Sequence, residues 1–399
     1  MSEAPWLTIV GLGEDGLKGL PPASCKALDE AEIVIGAPRH LERVGPLACE
    51  TRAWPVPFKD GIAPLLALRG KRVVVLASGD PFWFGAGGTL ARHLDTKEWC
   101  SLPGPSTFSL AANRLGWSLQ HVTCHGLHAA PLSRLRPHLA PGARLLILLR
   151  DGAAVQELGA YLTTEGFGAS RVVVLEALGG PRARETCDLA ENLAEHSFQH
   201  PVCVALDVVG EGAALPLASG RPDHWFETDG QITKQPVRAI TLSALAPRPG
   251  ELLWDIGGGS GSIGIEWLLT HPTLHAISIE QRADRAERIA RNAAWLGVDR
   301  LVVVVGRAPE ILHAQPKPQA VFVGGGLSPE LLSWLETHLD PGTRLVANAV
   351  TLETEALLLQ AQGRLGGDLL RLELSRSEPL GPRRGWKASY PIVQWSVTL

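Results

Sequence analysis

A chain of 399 residues is too long for one ordinary hydrophobic core, so two domains are expected. Apolar residues make up 45% and charged residues 20%, which fills two cores and excludes a disordered or fibrous chain. The net charge is -4 and no run of lysine or arginine forms a phosphate-tracking stripe, so nucleic acid is not an expected partner. The six cysteines, Cys25 to Cys203, include no CxxC pair, which argues for reduced thiols and no metal. The opening MSEAPWLTIVG lacks a basic segment ahead of an apolar stretch, and no apolar run reaches the roughly 18 residues of a membrane span. A cytoplasmic protein with no membrane partner is expected.

In chain order, an apolar strand at 7–10 runs into Gly11-Leu12-Gly13-Glu14-Asp15-Gly16. Strand-like runs follow at 33–35, 73–77, 145–149, 172–175 and 202–208, with helical stretches between them at 107–115 and 155–163. This alternation predicts an α/β domain with mainly parallel strands. Ser78-Gly79-Asp80-Pro81 follows one strand, and Pro103-Gly104-Pro105-Ser106-Thr107 enters a helix. Asp80 can bind backbone amides in a turn, while Ser106 and Thr107 can cap the helix or touch a ligand. Periodicity fails over 209–231, which is expected to be a linker between domains at 1–208 and 232–399.

The second half predicts strands at 252–256, 274–279, 301–305, 320–323 and 344–350, alternating with helices. Two final strands, 368–375 and 390–399, leave no room for a crossover helix between them. After the first of these strands comes Asp255-Ile256-Gly257-Gly258-Gly259-Ser260-Gly261-Ser262-Ile263-Gly264. A chain that must turn sharply and pass its backbone close to a bulky nucleoside uses glycine repeatedly. Glu280, at the end of the next strand, can accept the hydroxyl hydrogens of a ribose. These features suit NAD and S-adenosylmethionine alike, and Gly259, Gly261 and Gly264 formally satisfy the dinucleotide pattern. The charge of Asp255 suits an amino group and a sulfonium better than a pyrophosphate, which favours S-adenosylmethionine. Gly324-Gly325-Gly326 ends the fourth strand and removes the side-chain bulk that would keep a broad, flat substrate from the backbone.

The five strands with their closing hairpin resemble the Rossmann-like, seven-strand sheet of class I methyltransferases. The segment around Thr233 resembles the stretch that covers the cofactor there, with a plain helix N-cap as its alternative. The first-half motifs, the GxG loop, SGDP, PGPST and His125-Gly126, resemble the two-lobed tetrapyrrole methylase family. The second half, with DIGGGSGS, VFVGGG and the 347–353 stretch around Asn348, resembles the decarboxylating precorrin methylases. The resemblance covers nearly the whole chain. It implies S-adenosylmethionine at two sites per chain and a precorrin tetrapyrrole as substrate. It further implies methylation at C5 by the first domain, and C15 methylation with loss of the C12 acetate carboxyl by the second, on the route to cobalamin. Carried over by position, Gly79, Asp80, Ser106 and Thr107 lie near the first cofactor. Thr233, Asp255, Gly257, Gly259, Gly261 and Glu280 lie near the second. Gly11, Gly13, Gly324, Gly325 and Asn348 face the substrate. No catalytic residue is named, and a homo-oligomer is expected. Two departures stand out: Glu14 replaces the proline of the usual GxGPG start, and Gln319 stands where such domains often carry aspartate. Arg39, Arg150 and Arg307 are candidate partners for precorrin carboxylates. The alternative is a class I methyltransferase acting on RNA or protein, with a non-catalytic N-terminal binding domain.

Overall fold

The computed structural model describes residues 5–399. The chain divides into two compact units, one taking residues through Leu132 together with His138–Ala213, the other Ser133–Pro137 and Ala214–Leu399.

The first unit holds two five-stranded sheets. In one, β1 (Leu7–Leu12), β2 (Ile33–Gly36), β3 (Glu50–Ala53), β4 (Val73–Ser78) and β5 (Trp99–Leu102) lie all parallel in the order β3-β2-β4-β1-β5. The three inner strands, β2, β4 and β1, are buried on both faces, as parallel strands covered by helices require. The other contains β6 (Thr123–Gly126), β7 (Arg144–Leu149), β8 (Arg171–Glu176), β9 (Arg184–Leu189) and β10 (Val202–Asp207), ordered β6-β7-β10-β8-β9. Only β6 and β7 pair in parallel there, and the other three pairings are antiparallel. The expectation of mainly parallel strands is therefore corrected for this lobe. The link at 177–183 is too short for a parallel crossover, which takes about a dozen residues or more.

The second unit has β11 (Leu252–Ile256), β12 (His275–Glu280), β13 (Val302–Val305), β14 (Ala320–Val323), β15 (Arg344–Ala349), β16 (Asp368–Leu372), β17 (Ser375–Leu380), β18 (Arg383–Ala388) and β19 (Ile392–Thr398). Seven of them form one sheet, β13-β12-β11-β14-β15-β19-β16, with β19 the antiparallel insert. The two final strands pair antiparallel, as the expected hairpin requires, but they are not joined directly. The β17–β18 ribbon stands between them as a separate two-stranded sheet. No residue in that ribbon is buried, so it carries no apolar pattern to read. Among the described residues no helix is long and apolar enough to cross a membrane.

The expected linker at 209–231 is also corrected, because from Ala214 onward it belongs to the second unit. Leu215, Trp225 and Phe226 join the core around Leu253 and Trp267. Arg238, with 0% exposure, donates from Nε to Glu266 at 2.6 Å and from Nη1 to Asp223 at 3.1 Å, and also reaches the Arg221 and Thr233 carbonyls. Glu266, equally buried, accepts the backbone N–H groups of Gly220 at 2.6 Å and Arg221 at 3.0 Å. A desolvated ion pair thus fastens an aperiodic segment that sequence periodicity cannot reveal.

Arg238→Met should lower the stability of the second unit by about 3–5 kcal/mol, because it takes the nearer of two cations from the buried Glu266 carboxylate and leaves only Arg221 at 3.5 Å. Denaturant melting followed by tryptophan fluorescence checks this, and a shift below about 1 kcal/mol would contradict the assigned role.

Candidate functional site

In the second unit the carboxyl ends of β12, β11, β14 and β15 lie side by side. Strand order reverses between β11 and β14, the place where open α/β sheets form a crevice. A cavity of about 770 Å³ opens there, lined among others by Asp255, Gly257, Gly259, Glu280, Gly324 and Asn348. Thr233, Gly325 and Arg307 also line it.

Backbone bonds stitch the glycine loop to the neighbouring strand, with the N–H groups of Gly257 and Gly258 donating to the Ile279 carbonyl at 2.9 and 3.2 Å. Glu280, 4% exposed, completes the latch: its Oε2 accepts the Gly259 N–H at 3.0 Å and its Oε1 the Arg282 N–H at 3.0 Å. A carboxylate has further lone pairs, so ligand hydroxyls can bind without breaking these bonds. Gly257 has φ +74° and a β-carbon there would lie 2.9 Å from the Gly325 carbonyl oxygen, so this glycine is needed for both conformation and close approach. Around Gly259 a β-carbon would meet the protein only at ordinary distance, 3.7 Å from the Gln231 carbonyl oxygen, so within the chain the requirement for glycine rests on φ +60°. Gly261 lies in the same loop, with φ +76°, and precedes helix Ser262–Thr270.

Asp255 borders the cavity although only 1% of it is exposed. Its Oδ2 accepts the Gly264 N–H at 3.2 Å and the Ser278 hydroxyl at 3.4 Å. Burial outweighs these two bonds and pushes its carboxyl up to about 7. Asn348 is fixed on both sides of its amide: Nδ2 donates to Thr241 at 3.0 Å, and Oδ1 accepts from Gln394 at 2.9 Å. Thr233 is not a helix N-cap, since Lys234 occupies that position before Gln235–Leu245. Gln319, one residue before β14, accepts the Leu252 N–H at 2.9 Å and serves the sheet.

In the first unit, Gly79, Asp80, Ser106 and Thr107 meet at the carboxyl edge of β4 and β1. A β-carbon on Gly79 would lie 2.9 Å from the Pro105 carbonyl oxygen and 3.3 Å from the Ser106 α-carbon. Asp80 accepts the Phe82 N–H at 2.8 Å, and Ser106 caps helix Thr107–Leu115 by accepting the Ser109 N–H at 3.0 Å. Gly11 is buried, and any β-carbon there would overlap the Gly79 carbonyl and the Gly104 amide. Close packing of three backbone segments is what this glycine provides. Gly13 lies beside the Asp15 carboxylate, which a β-carbon would meet at 2.5 Å. Arg150 is paired with Asp151 at 2.8 Å and Glu157 at 3.2 Å and so is occupied. Sequence reasoning missed the Asp255–Ser278 contact, which depends on strand register, and the support of Asn348 by Gln394 across the sheet and by Thr241 from helix Gln235–Leu245.

Residues 6–192 match the tetrapyrrole (corrin/porphyrin) methylases, and residues 224–399 match the precorrin methyltransferase domain. A precorrin-6Y C(5,15)-methyltransferase [decarboxylating] from Sinorhizobium sp is 51% identical over 99% of this chain and 97% of its own. The chain belongs to the decarboxylating precorrin-6Y C(5,15)-methyltransferase family. A relative of the same name from Mycobacterium tuberculosis is 39% identical over 98% of this chain and 99% of its own. A cobalt-precorrin-6B C(15)-methyltransferase (decarboxylating) from Salmonella typhimurium is 32% identical over 40% of this chain and 85% of its own. As a member of this methyltransferase family the chain uses S-adenosylmethionine. The second-unit cavity fits that group: it is large, its loop carries no side-chain bulk at Gly257 and Gly259, and Glu280 ends the adjacent strand.

Asp255 titrates at about 7 in the folded chain against an ordinary 3.8, so the native state holds a proton that the unfolded chain has already released across this interval. Stability therefore falls as pH rises through that window and levels off above it. Asp255→Asn should remove this fall. A wild-type-minus-variant stability curve that stays flat over the same range would contradict it.

Proposed function

We propose that this chain methylates a precorrin at C5 in its first unit, and in its second unit methylates C15 and removes the C12 acetate carboxyl as carbon dioxide. The carrying observation is the near-full-length relative whose printed activity joins both methylations to decarboxylation. The relative named for C15 methylation and decarboxylation spans only two fifths of the chain, which supports placing those two steps on one unit. The reading as an RNA or protein methyltransferase loses its ground, because residues 6–192 match tetrapyrrole methylases.

When bound, S-adenosylmethionine supplies an electrophilic methyl group to an electron-rich carbon of the ring. The residues of the second unit do the rest by positioning. Glu280 accepts ribose hydroxyl hydrogens while holding the Gly259 amide, so binding and loop shape are tied to one carboxylate. Asp255, poised near neutrality, ionises beside the cationic methionine moiety and adds charge complementarity there. Gly324 and Gly325 leave the β14 edge free for the flat ring, and the immobilised Asn348 amide borders the same space. Decarboxylation transfers the carboxyl bond pair into the protonated, conjugated ring as carbon dioxide leaves, which needs no covalent nucleophile. In the first unit, the Gly79–Asp80 turn and the start of helix Thr107–Leu115 hold the other cofactor. Two sites per chain follow.

The test is product mass from the full chain given metal-free precorrin and S-adenosylmethionine. Asp80→Arg should yield a product one methyl short but decarboxylated. Gly259→Val, a branched side chain at φ +60°, should lose the other methyl and retain carbon dioxide. If Asp80→Arg kept both methyl transfers, or Gly259→Val alone stopped both, the division between units would be wrong.

A further inference from the structure

Arg39 follows β2, in helix Pro38–Val44, and reaches the carboxyl edge of β4. Its guanidinium is bound entirely by neutral groups. Nη2 donates to the Ser78 hydroxyl at 3.0 Å, immediately before Gly79, and Nε contacts His40 Nε2 at 3.4 Å. Nη1 contacts His200 Nε2 at 2.9 Å, from the second lobe of the same unit. No carboxylate among the described residues pairs with it. A guanidinium has more N–H donors than these bonds use, and they lie in a planar fork matched to a carboxylate.

The one acid that acts on that cation, Glu14, does so without an ion pair and is shared with two other arginines. Arg43 and Arg182 share one acid, Glu14. Arg184 is taken by Glu176 at 2.6 Å, and Asp151 by Arg150 at 2.8 Å. Asp80 folds onto its own loop. Burial, then Arg39, hold His128 and His200 below the ordinary histidine range, so both stay neutral at physiological pH. Burial likewise lowers His40 to about 4. His200 further borders a cavity of about 120 Å³ that Arg182 and Arg184 also line. A half-buried arginine held by neutral acceptors, at a strand edge beside the cofactor turn, lacks an anion.

The geometry points to Arg39, oriented by Ser78 and His200, as the residue that binds a carboxylate side chain of the tetrapyrrole in the first unit. This rests on the functional reading above. The methionine moiety of S-adenosylmethionine also carries a carboxylate, and the experiment separates the two sources.

The unaltered full chain, Arg39→Met and Arg39→Lys are compared in steady-state methylation of metal-free precorrin. Titration of each with S-adenosylhomocysteine accompanies the kinetics. Arg39→Met should raise the precorrin KM of the first-unit methyl transfer about ten- to a hundredfold, the worth of a charge-assisted contact, and leave kcat near its original value. Arg39→Lys should restore part of the loss, since it returns the charge without the fork. C15 methylation, decarboxylation and S-adenosylhomocysteine affinity should not change. An unchanged KM overturns the assignment. So does a fall in kcat alone, which marks a positioning role, and so does weakened S-adenosylhomocysteine binding at fixed KM, which gives Arg39 to the cofactor. Absence of methylated product from the unaltered chain overturns the functional reading and this inference together.

Discussion

The contact between Glu280 and the Gly259 amide ties the end of one strand to the loop that leaves its neighbour, and the second-unit cleft depends on it. A loop with positive φ at Gly257, Gly259 and Gly261 has little intrinsic preference for one shape. Two backbone bonds to Ile279 and a nearly buried carboxylate supply the shape from outside the loop. Asp255 braces the same turn from behind, through the Gly264 amide and the Ser278 hydroxyl. The cost is a carboxyl kept in a desolvated place, which ionises only near neutrality.

The first unit solves a similar problem with backbone alone. Gly11, Gly79 and Gly104 come together so closely that no side chain fits at Gly11, and the Gly104 N–H donates to the Gly79 carbonyl at 3.0 Å. Ends of β1 and β4 are thereby brought beside the Ser106 cap, with Arg39 arriving from β2. Both units offer a cleared strand edge with a few fixed polar groups, which suits methyl transfer to a carbon made reactive by its own ring.

Much of this was legible in the sequence, and the failures share a cause. The central strands β1, β4, β7, β10, β11 and β14 are apolar and buried, and their runs stand out. The missed strands of the first unit, β3, β5, β6 and β9, are all edges of their sheets. Edge strands pair on one side and carry residues such as Glu50, Arg52, Glu185 and Asp188, so no alternation marks them. The 214–231 segment looked like a linker because its order comes from Arg238 and Glu266, far along the chain, rather than from a local period. Among site residues, the glycine loop and Glu280 could be placed by spacing. The burial of Asp255 and the packing duty of Gly11 could not, because both follow from which strand lies alongside.

Calorimetric titration of the full chain with S-adenosylhomocysteine, unaltered and as Glu280→Gln, tests the central claim most directly. The account predicts two sites in the unaltered chain. In the variant one site should keep its affinity and the other lose about 1–3 kcal/mol, the value of hydrogen bonds to a charged acceptor. A single site in the unaltered chain, or two undiminished sites in the variant, would contradict it.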